Sequence, residues 1–210
     1  MARGCFVVLE GPEGSGKSTL HRSLIERVRA GGADPVSVRE PGGTPAAEAL
    51  RTELLDVARP WTAEQELLYV TTARADTVTK IVRPALEGGR LVISDRYEMS
   101  TRAYQGAGRG VDLEHLEWVN HAATGGLVPD LTLVLDIDAE AGMERLRSTA
   151  RHQNRLDLES LEFHRRVSEF YRAVSGPGIM HLDANDPPAT LLEASFRAIH
   201  ALRPDMVRAP

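Results

Sequence analysis

The chain has 210 residues, of which 42% are hydrophobic and 26% are charged, and its formal net charge is −5. These values predict one globular domain over residues 1–210 and exclude a disordered, collagen-like or disulfide-rich protein. No apolar run approaches the ~20 residues of a transmembrane helix, and the acidic balance argues against broad nucleic-acid binding.

Short apolar runs predict buried strands, and helical spacing of apolar residues predicts the helices between them. The predicted strands are Phe6–Leu9, Val36–Val38, Leu91–Ile93, Leu131–Leu135 and Gly178–Leu182. The predicted helices are Ser18–Ala30, Pro45–Val57, Thr62–Leu86 (expected to be bent or broken), Asp112–Ala123, Ala139–Arg147, Leu158–Val174 and Pro188–Leu202. Loops are expected at Arg39–Thr44, Gly106–Val111 and Ser148–Asn154. Strands that alternate with helices predict an α/β fold, with a central parallel sheet flanked by helices.

Cysteine and lysine are both rare in the chain. The single cysteine, Cys5, cannot form an internal disulfide, so we expect a buried thiol and a protein of the reducing cytoplasm. Only two of the 25 Lys and Arg side chains are lysines, Lys17 and Lys80. A lysine inside a recognisable motif is therefore conspicuous.

A glycine-rich segment directly follows the first predicted strand. It consists of Gly11, Pro12, Glu13, Gly14, Ser15, Gly16, Lys17, Ser18 and Thr19, and is called the phosphate loop below. The segment matches G-x-x-x-x-G-K-[ST] between a strand and a helix, where backbone N–H groups and the helix N-terminus bind phosphate. In this pattern Lys17 neutralises the β- and γ-phosphates of a nucleotide, and Ser18 offers its hydroxyl to Mg²⁺.

An acidic residue follows the strand that starts at Leu91. The carboxyl end of a parallel strand beside the phosphate loop is where a ligand of Mg²⁺ belongs, so Ser18 and Asp95 predict a magnesium site, direct or through water. A helix or turn cap is the alternative role for Asp95. No Asn-Lys-x-Asp tetrad occurs, which favours a small phosphate-transferring enzyme over a GTPase switch.

Four arginines together predict a site for the phosphate of an acceptor. Arg39 and Arg96 lie at loops or strand ends, Arg51 lies one to two helical turns beyond the loop that starts at Arg39, and Arg74 lies in the middle of a predicted helix. A guanidinium fork binds a phosphate monoester through two hydrogen bonds and keeps its charge at all physiological pH values. A solvated surface position is the alternative for any one of them.

These motifs together resemble the thymidylate kinase family. The resemblance rests on residues 6–19, 39–45, 95–97, 103–106 and 153–157, in that order along the chain. It implies a fold like that of P-loop nucleoside monophosphate kinases, transfer of the γ-phosphate of ATP to dTMP with Mg²⁺, dTDP as the product, and a homodimer.

The resemblance also implies roles for individual residues. The acceptor phosphate would be bound by Arg39, Arg51 and Arg96. Arg74 would pack on and bond the thymine, Thr101 and Gln105 would read the base edge, and Tyr104 would lie beside the deoxyribose. Glu13 would meet the 3′-hydroxyl side of the acceptor. The catalytic set would be Lys17, Arg151, Arg96, Glu13 and Asp95.

A catalytic arginine in this family lies either in the phosphate loop or in a lid. Gly14, not arginine, follows Glu13, so the chain resembles the lid type. The predicted lid spans about residues 144–156 and contains Arg145, Arg147, Arg151 and Arg155. We expect Arg151 to supply the inserted charge, with Arg147 next, because phosphoryl transfer needs alignment and charge neutralisation. An exposed basic helix end is the alternative.

The chain departs from the family pattern near the predicted base pocket. The family usually has an aromatic residue four positions before the base-binding arginine, where this chain has Val70, next to Tyr69. Either the helix bulges locally or the stacking ring is lost. Two other hypotheses therefore stay open: a kinase for a different or 5-modified pyrimidine monophosphate, and a nucleotide-binding regulator without activity. Trp61 and Trp118 are expected to be packing residues, with a subunit interface as one place for Trp118.

Overall fold

The predicted strands form one sheet. The structure is a computed structural model that describes residues 3–148 and 154–207. Strands β1 to β5 span Cys5–Glu10, Val36–Arg39, Leu91–Asp95, Leu131–Asp136 and Ile179–Asp183. Their spatial order is β2-β3-β1-β4-β5, and every neighbouring pair is parallel. The predicted α/β fold with a central parallel sheet is confirmed.

Helices cover both faces of the sheet. Helices α1 to α9 span Lys17–Ala30, Pro45–Leu55, Ala63–Thr77, Arg83–Glu87, Glu98–Thr101, Leu113–Thr124, Ala139–Arg147, Leu161–Ala173 and Pro188–Leu202. Two π-helical turns, Val78–Val82 and Arg102–Gly108, follow α3 and α5. Among the described residues, no helix is long and apolar enough to cross a membrane.

Side chains of the central strand alternate between two hydrophobic layers. Cys5, Val7 and Leu9 pack with α1 and α9 on one face, whereas Phe6 and Val8 pack on the other face with residues around α4. A strand buried on both faces needs apolar residues at every position, which explains its unbroken apolar run. Cys5 is buried as expected, and burial raises the pKa of its thiol to about 11.

The long predicted helix Thr62–Leu86 contains an irregularity. It is α-helical to Thr77, widens into the π-helical turn Val78–Val82, and continues as α4 to Glu87. Pro84 has no N–H to donate to the fourth preceding carbonyl, and its ring crowds that carbonyl, which breaks the α-helical ladder. The expectation of a bent or broken helix is therefore confirmed.

Two predicted boundaries differ from the structure by three residues, whereas the helix predicted as Pro45–Val57 ends two residues earlier, at Leu55. Gly106–Val111 is not all loop, because the π-helical turn extends to Gly108, where an added Cβ would clash with the ring of Phe163. The helix predicted from Leu158 begins at Leu161, because the Ser160 hydroxyl accepts the N–H of Phe163 and starts the helix there.

The strand order explains where a site can form. The chain leaves β1 toward one edge of the sheet and leaves β3 toward the other, so a crevice opens between their carboxyl ends. Register places Leu9, Asp95 and Arg39 side by side at this edge, with the phosphate loop directly after β1.

Candidate active site

A cavity of about 300 Å³ lies at the carboxyl ends of β1 and β3. From the phosphate loop its lining includes Glu13, Gly14, Gly16, Lys17, Ser18 and Thr19. From the other predicted site residues it includes Arg39, Arg51, Asp95, Arg96, Thr101, Tyr104 and Gln105. The structure thus brings the predicted phosphate-binding and acceptor-binding groups into one cavity, apart from Gly11, Pro12, Ser15 and Arg74, which do not line it.

The phosphate loop is closely packed. Gly14 has φ of +74°, and a Cβ on it would clash with the carbonyl of Gly142 in α7, so both geometry and space require glycine. Gly16, with φ of +88°, turns the chain into α1. The Lys17 ammonium donates to the Pro12 carbonyl at 2.7 Å and to the Ser15 hydroxyl at 3.2 Å. The Lys17 side chain therefore folds back over the phosphate loop, and residues of that loop hold its ammonium group.

The charge of Lys17 is poorly compensated in the free protein. Burial lowers the pKa of its ammonium to about 8, and the nearby Arg96 guanidinium lowers it further, against opposing contributions from Glu13 and Asp95. An anion bound in the cavity would raise the pKa of Lys17 again, because an opposite charge favours the protonated amine.

The two predicted magnesium ligands are in direct contact. The Ser18 hydroxyl donates to Asp95 Oδ2 at 2.7 Å. A hydroxyl and a carboxylate beside a phosphate loop are oxygen ligands suited to Mg²⁺, which keeps water and substrate phosphates as its remaining ligands. No group of three or more His, Cys, Asp or Glu in the described ranges could hold a metal ion. The Ser18–Asp95 pair fits the predicted magnesium site.

Arg96 connects the phosphate loop to the rest of the cavity. Its Nη2 donates to Glu13 Oε1 at 2.6 Å and to the Tyr104 hydroxyl at 3.1 Å, and its Nη1 donates to the Gly11 carbonyl at 3.2 Å. Burial alone would lower the pKa of Arg96, but Tyr104 and Glu13 raise it well above its usual value. Its φ of +76° is the one left-handed backbone angle of a non-glycine residue in the described chain, which is a strained conformation.

A buried carboxylate supports this strained turn. Glu10 ends β1 and is inaccessible to solvent. Its Oε1 accepts the backbone N–H groups of Tyr97 (2.8 Å) and Ser100 (3.2 Å), and its Oε2 accepts the hydroxyls of Ser100 (2.7 Å) and Tyr171 (2.8 Å). Ser100 Oγ also accepts from Arg96 Nη1 at 3.1 Å. Glu10 therefore fixes both the backbone after Arg96 and one end of its side chain.

The sequence interpretation missed this support. The only signal was that Glu10, a charged residue, ends an otherwise apolar buried strand. Tyr171 lies on the apolar stripe of α8, where a tyrosine is indistinguishable from a packing residue.

Two further arginines of the acceptor set line the cavity from β2 and α2. Arg39 donates to Glu48 at 2.8 Å, and Arg51 donates to the Pro41 carbonyl at 2.9 Å. Burial lowers the pKa of Arg51 to about 10, and the charges of Arg39 and Arg96 lower it further. The three arginines repel one another in the free protein, which favours an anion between them.

Arg74 does not reach the cavity lining. It is fully buried and donates to Glu40 at 2.6 Å, to Asn120 at 2.7 Å, to the Tyr97 carbonyl at 2.8 Å and to the Thr101 hydroxyl at 2.9 Å. Desolvation is the largest influence on Glu40 and raises the pKa of its carboxyl despite the charge of Arg74. Direct contact of Arg74 with a base stays a prediction.

The regular geometry of α3 decides between the two alternatives for the expected stacking ring, a local bulge or loss of the ring. The helix is regular from Ala63 to Thr77, without a bulge between Tyr69 and Arg74. Val70 lines the cavity, and the Tyr69 ring packs on Trp61 with ring centroids 4.4 Å apart. Of the two alternatives, loss of the ring at this position is the one observed.

The predicted lid is described only in part. Arg151 and Gln153 lie outside the described residues. Arg145 donates to the Ala184 carbonyl and the Asn185 side chain, and Arg155 donates to Glu66 at 2.6 Å. Arg147 has a side chain 64% exposed, with Glu144 at 3.6 Å.

Comparison with known proteins agrees with the motifs. A family model described as thymidylate kinase matches residues 9–194. The chain is similar to the thymidylate kinase of Desulfovibrio desulfuricans, with 45% identity over 206 residues, covering 93% of this chain and 95% of the relative. It is also similar to the thymidylate kinase of Thermomicrobium roseum, with 44% identity over 199 residues, covering 92% and 93%.

The pKa of Lys17 makes nucleotide binding sensitive to protons. At about pH 8.5 much of Lys17 is neutral in the free protein, and a bound triphosphate raises its pKa, so ATP binding takes up protons. Calorimetric titration in two buffers of different ionisation enthalpy measures this uptake. It should shrink at about pH 7, where Lys17 is already charged. Binding heats that are independent of buffer at the higher pH would contradict the assignment.

Proposed function

The chain belongs to the thymidylate kinase family, and from this premise we propose that it transfers the γ-phosphate of ATP to dTMP, giving dTDP. The observation that carries the proposal is Arg96, which spans from the phosphate loop to the acceptor side of a single cavity. A donor phosphate held at Lys17 and an acceptor phosphate held at Arg96 would meet there. Phosphoryl transfer needs such alignment and charge neutralisation more than covalent chemistry.

Residues of the phosphate loop would hold the donor. Its N–H groups and Lys17 bind the β- and γ-phosphates, and Ser18 with Asp95 would hold Mg²⁺. When bound, the ion neutralises charge on the phosphates. This use of Mg²⁺ with ATP is general for such kinases.

The acceptor would be oriented by the other cavity residues. Arg39, Arg51 and Arg96 bind its phosphate, and Glu13 meets the 3′-hydroxyl side of its sugar, next to Tyr104. We assign the charge that stabilises the transferred group to Arg151, in a lid over residues 144–156 of a single kinase domain. A closed lid would keep water from the γ-phosphate and so prevent hydrolysis of ATP.

Val70 supports a second candidate function. A small aliphatic side chain lines the cavity where an aromatic ring was expected, which leaves more room beside the base. The alternative activity is phosphorylation of a different or 5-modified pyrimidine monophosphate. A regulator without activity is disfavoured, because Lys17, Asp95 and Arg96 provide charges that a simple binding protein does not need.

We also propose a homodimer that works in the cytoplasm. Helices α3 and α6 pack on each other, and each carries large apolar side chains that are exposed: Leu68 (56%), Leu113 (60%) and Trp118 (71%). A second copy of the chain covering this face would remove them from water. The buried thiol of Cys5 suits a reducing compartment.

The function is tested by ADP release with MgATP and, separately, dTMP, dUMP, dCMP, dGMP and 5-substituted analogues of dTMP. Strong release with dTMP is expected, and it should be abolished by Lys17→Ala, which removes the phosphate-binding charge. The matched control is Lys80→Ala, because this other lysine is 59% exposed and pairs only with Asp76 in the described structure. Release with a modified pyrimidine alone would favour the second candidate. ATP binding with no transfer to any acceptor would contradict both.

The subunit interface is tested by Trp118→Glu. A charge at the centre of a buried apolar face costs several kcal/mol, so the variant should sediment as a monomer at concentrations where the unmodified protein is a dimer. Val128→Glu, at a position 60% exposed outside α3 and α6, is the control and should leave the dimer intact. An unmodified protein that sediments as a monomer would contradict the proposal.

A further inference from the structure

A carboxylate of α2 packs against the loop that joins β2 to α2. Glu48, in the first turn of the helix, accepts the backbone N–H of Gly43 at 2.9 Å through Oε1. Both of its oxygens also accept from Arg39 Nη2, each at 2.8 Å. The Gly43 N–H, more than any other group, lowers the pKa of the Glu48 carboxyl, so the carboxyl is charged at neutral pH. Arg39 lines the cavity and Glu48 does not, so Glu48 holds the guanidinium from behind.

The two glycines of this loop make room for the carboxylate. A Cβ on Gly42 would clash with Glu48 Oε1, and displacement of Glu48 from its partners would be needed to relieve the clash. Gly42 and Gly43 have φ of +140° and +99°, angles that residues with a side chain rarely adopt. The glycine pair is therefore explained by the turn and by Glu48, because binding of an acceptor phosphate to arginines does not by itself require it.

Helix α2 holds the loop at two points. Glu48 accepts the N–H of Gly43, and Arg51 donates through Nη1 to the carbonyl of Pro41 at 2.9 Å. The two residues are three positions apart on the helix, so they lie on the same face. Release of the loop at Gly43 would free Arg39 directly and would disturb Arg51 through Pro41.

We propose that Glu48 is a positioning residue that orients Arg39, and through the loop Arg51, toward the phosphate of the acceptor. The inference rests on the proposed function and deepens it. The Arg39 side chain is 48% exposed, so without a partner it would sample many rotamers. Among the described residues its only hydrogen bonds are those of Nη2 to Glu48, which leaves Nη1 and Nε for phosphate oxygens. A guanidinium held in one orientation loses less freedom on binding, and affinity for the phosphate increases accordingly.

The experiment measures binding of dTMP, and of thymidine as the ligand without a phosphate, by calorimetry in Glu48→Ala. The Kd for dTMP should rise about tenfold, the loss expected when hydrogen bonds to a charged group no longer orient it. The Kd for thymidine should not change, because Glu48 acts only on groups that bind the phosphate. A folded variant that binds dTMP as tightly as the unmodified protein, or that loses affinity for both ligands equally, would overturn the proposal.

Glu48→Asp separates orientation from charge. Aspartate keeps the negative charge but is one methylene shorter, so it cannot hold the Gly43 N–H and Arg39 together, and the same selective loss of dTMP binding is expected. An aspartate variant with the dTMP affinity of the unmodified protein would show that charge alone suffices, and would overturn the positioning role. This variant also carries the test if Glu48→Ala does not fold.

Glu53→Ala is the matched control. Glu53 lies on the same helix, its side chain is 45% exposed like that of Glu48, and it pairs with an arginine, Arg59, at 2.9 Å. Neither Glu53 nor Arg59 lines the cavity, so this variant should keep the Kd of the unmodified protein for both ligands.

Binding without turnover separates this proposal from the function. A protein that loses dTMP affinity selectively in Glu48→Ala, but transfers no phosphate, supports the role of Glu48 and contradicts the proposed function. A protein that phosphorylates dTMP, with the same Kd for dTMP in Glu48→Ala, supports the function and overturns the role of Glu48.

Discussion

The arrangement of the cavity depends on one carboxylate that has no access to water. Glu10 accepts hydrogen bonds from two backbone N–H groups of the turn after β3 and from two hydroxyls, so its desolvation is compensated inside the protein. These bonds stabilise the left-handed backbone of Arg96, whose guanidinium then reaches the phosphate loop at Gly11 and Glu13. Because Glu10 is the residue just before that loop, one strand end fixes the positions of both phosphate-binding elements.

The same principle operates elsewhere around the cavity. Two charges that face the cavity, Lys17 and Arg51, have lowered pKa values, because burial and the positive charges of nearby arginines disfavour their charged forms. An anion bound in the cavity would offset both effects. Two charges behind the cavity, Glu66 and Arg74, are paired with charged groups of the protein itself.

Local features were predictable from sequence, and long-range contacts were not. The strands and the phosphate loop were predictable because burial on both faces and phosphate binding each impose a pattern on consecutive residues. Glu10 and Tyr171 are 161 positions apart, and Glu66 and Arg155 are 89 apart, so no spacing rule could pair them. At Val70 the sequence was compatible with a helix bulge or with loss of the stacking ring, and only the observed geometry of α3 separates the two. The helical extension to Gly108 was missed because glycines indicate loops, whereas here a glycine makes room for Phe163.

The most direct test of the role of Glu10 is kcat/KM for dTMP in Tyr171→Phe. The substitution removes one hydroxyl, which donates to Glu10 at 2.8 Å, and Tyr171 does not line the cavity. Loss of a hydrogen bond to a buried charge costs about 1.5–3 kcal/mol, and part of that cost should weaken the positioning of Arg96. The account predicts a decrease of roughly tenfold for dTMP with KM for ATP unchanged. A folded variant with unchanged kcat/KM for dTMP would contradict it.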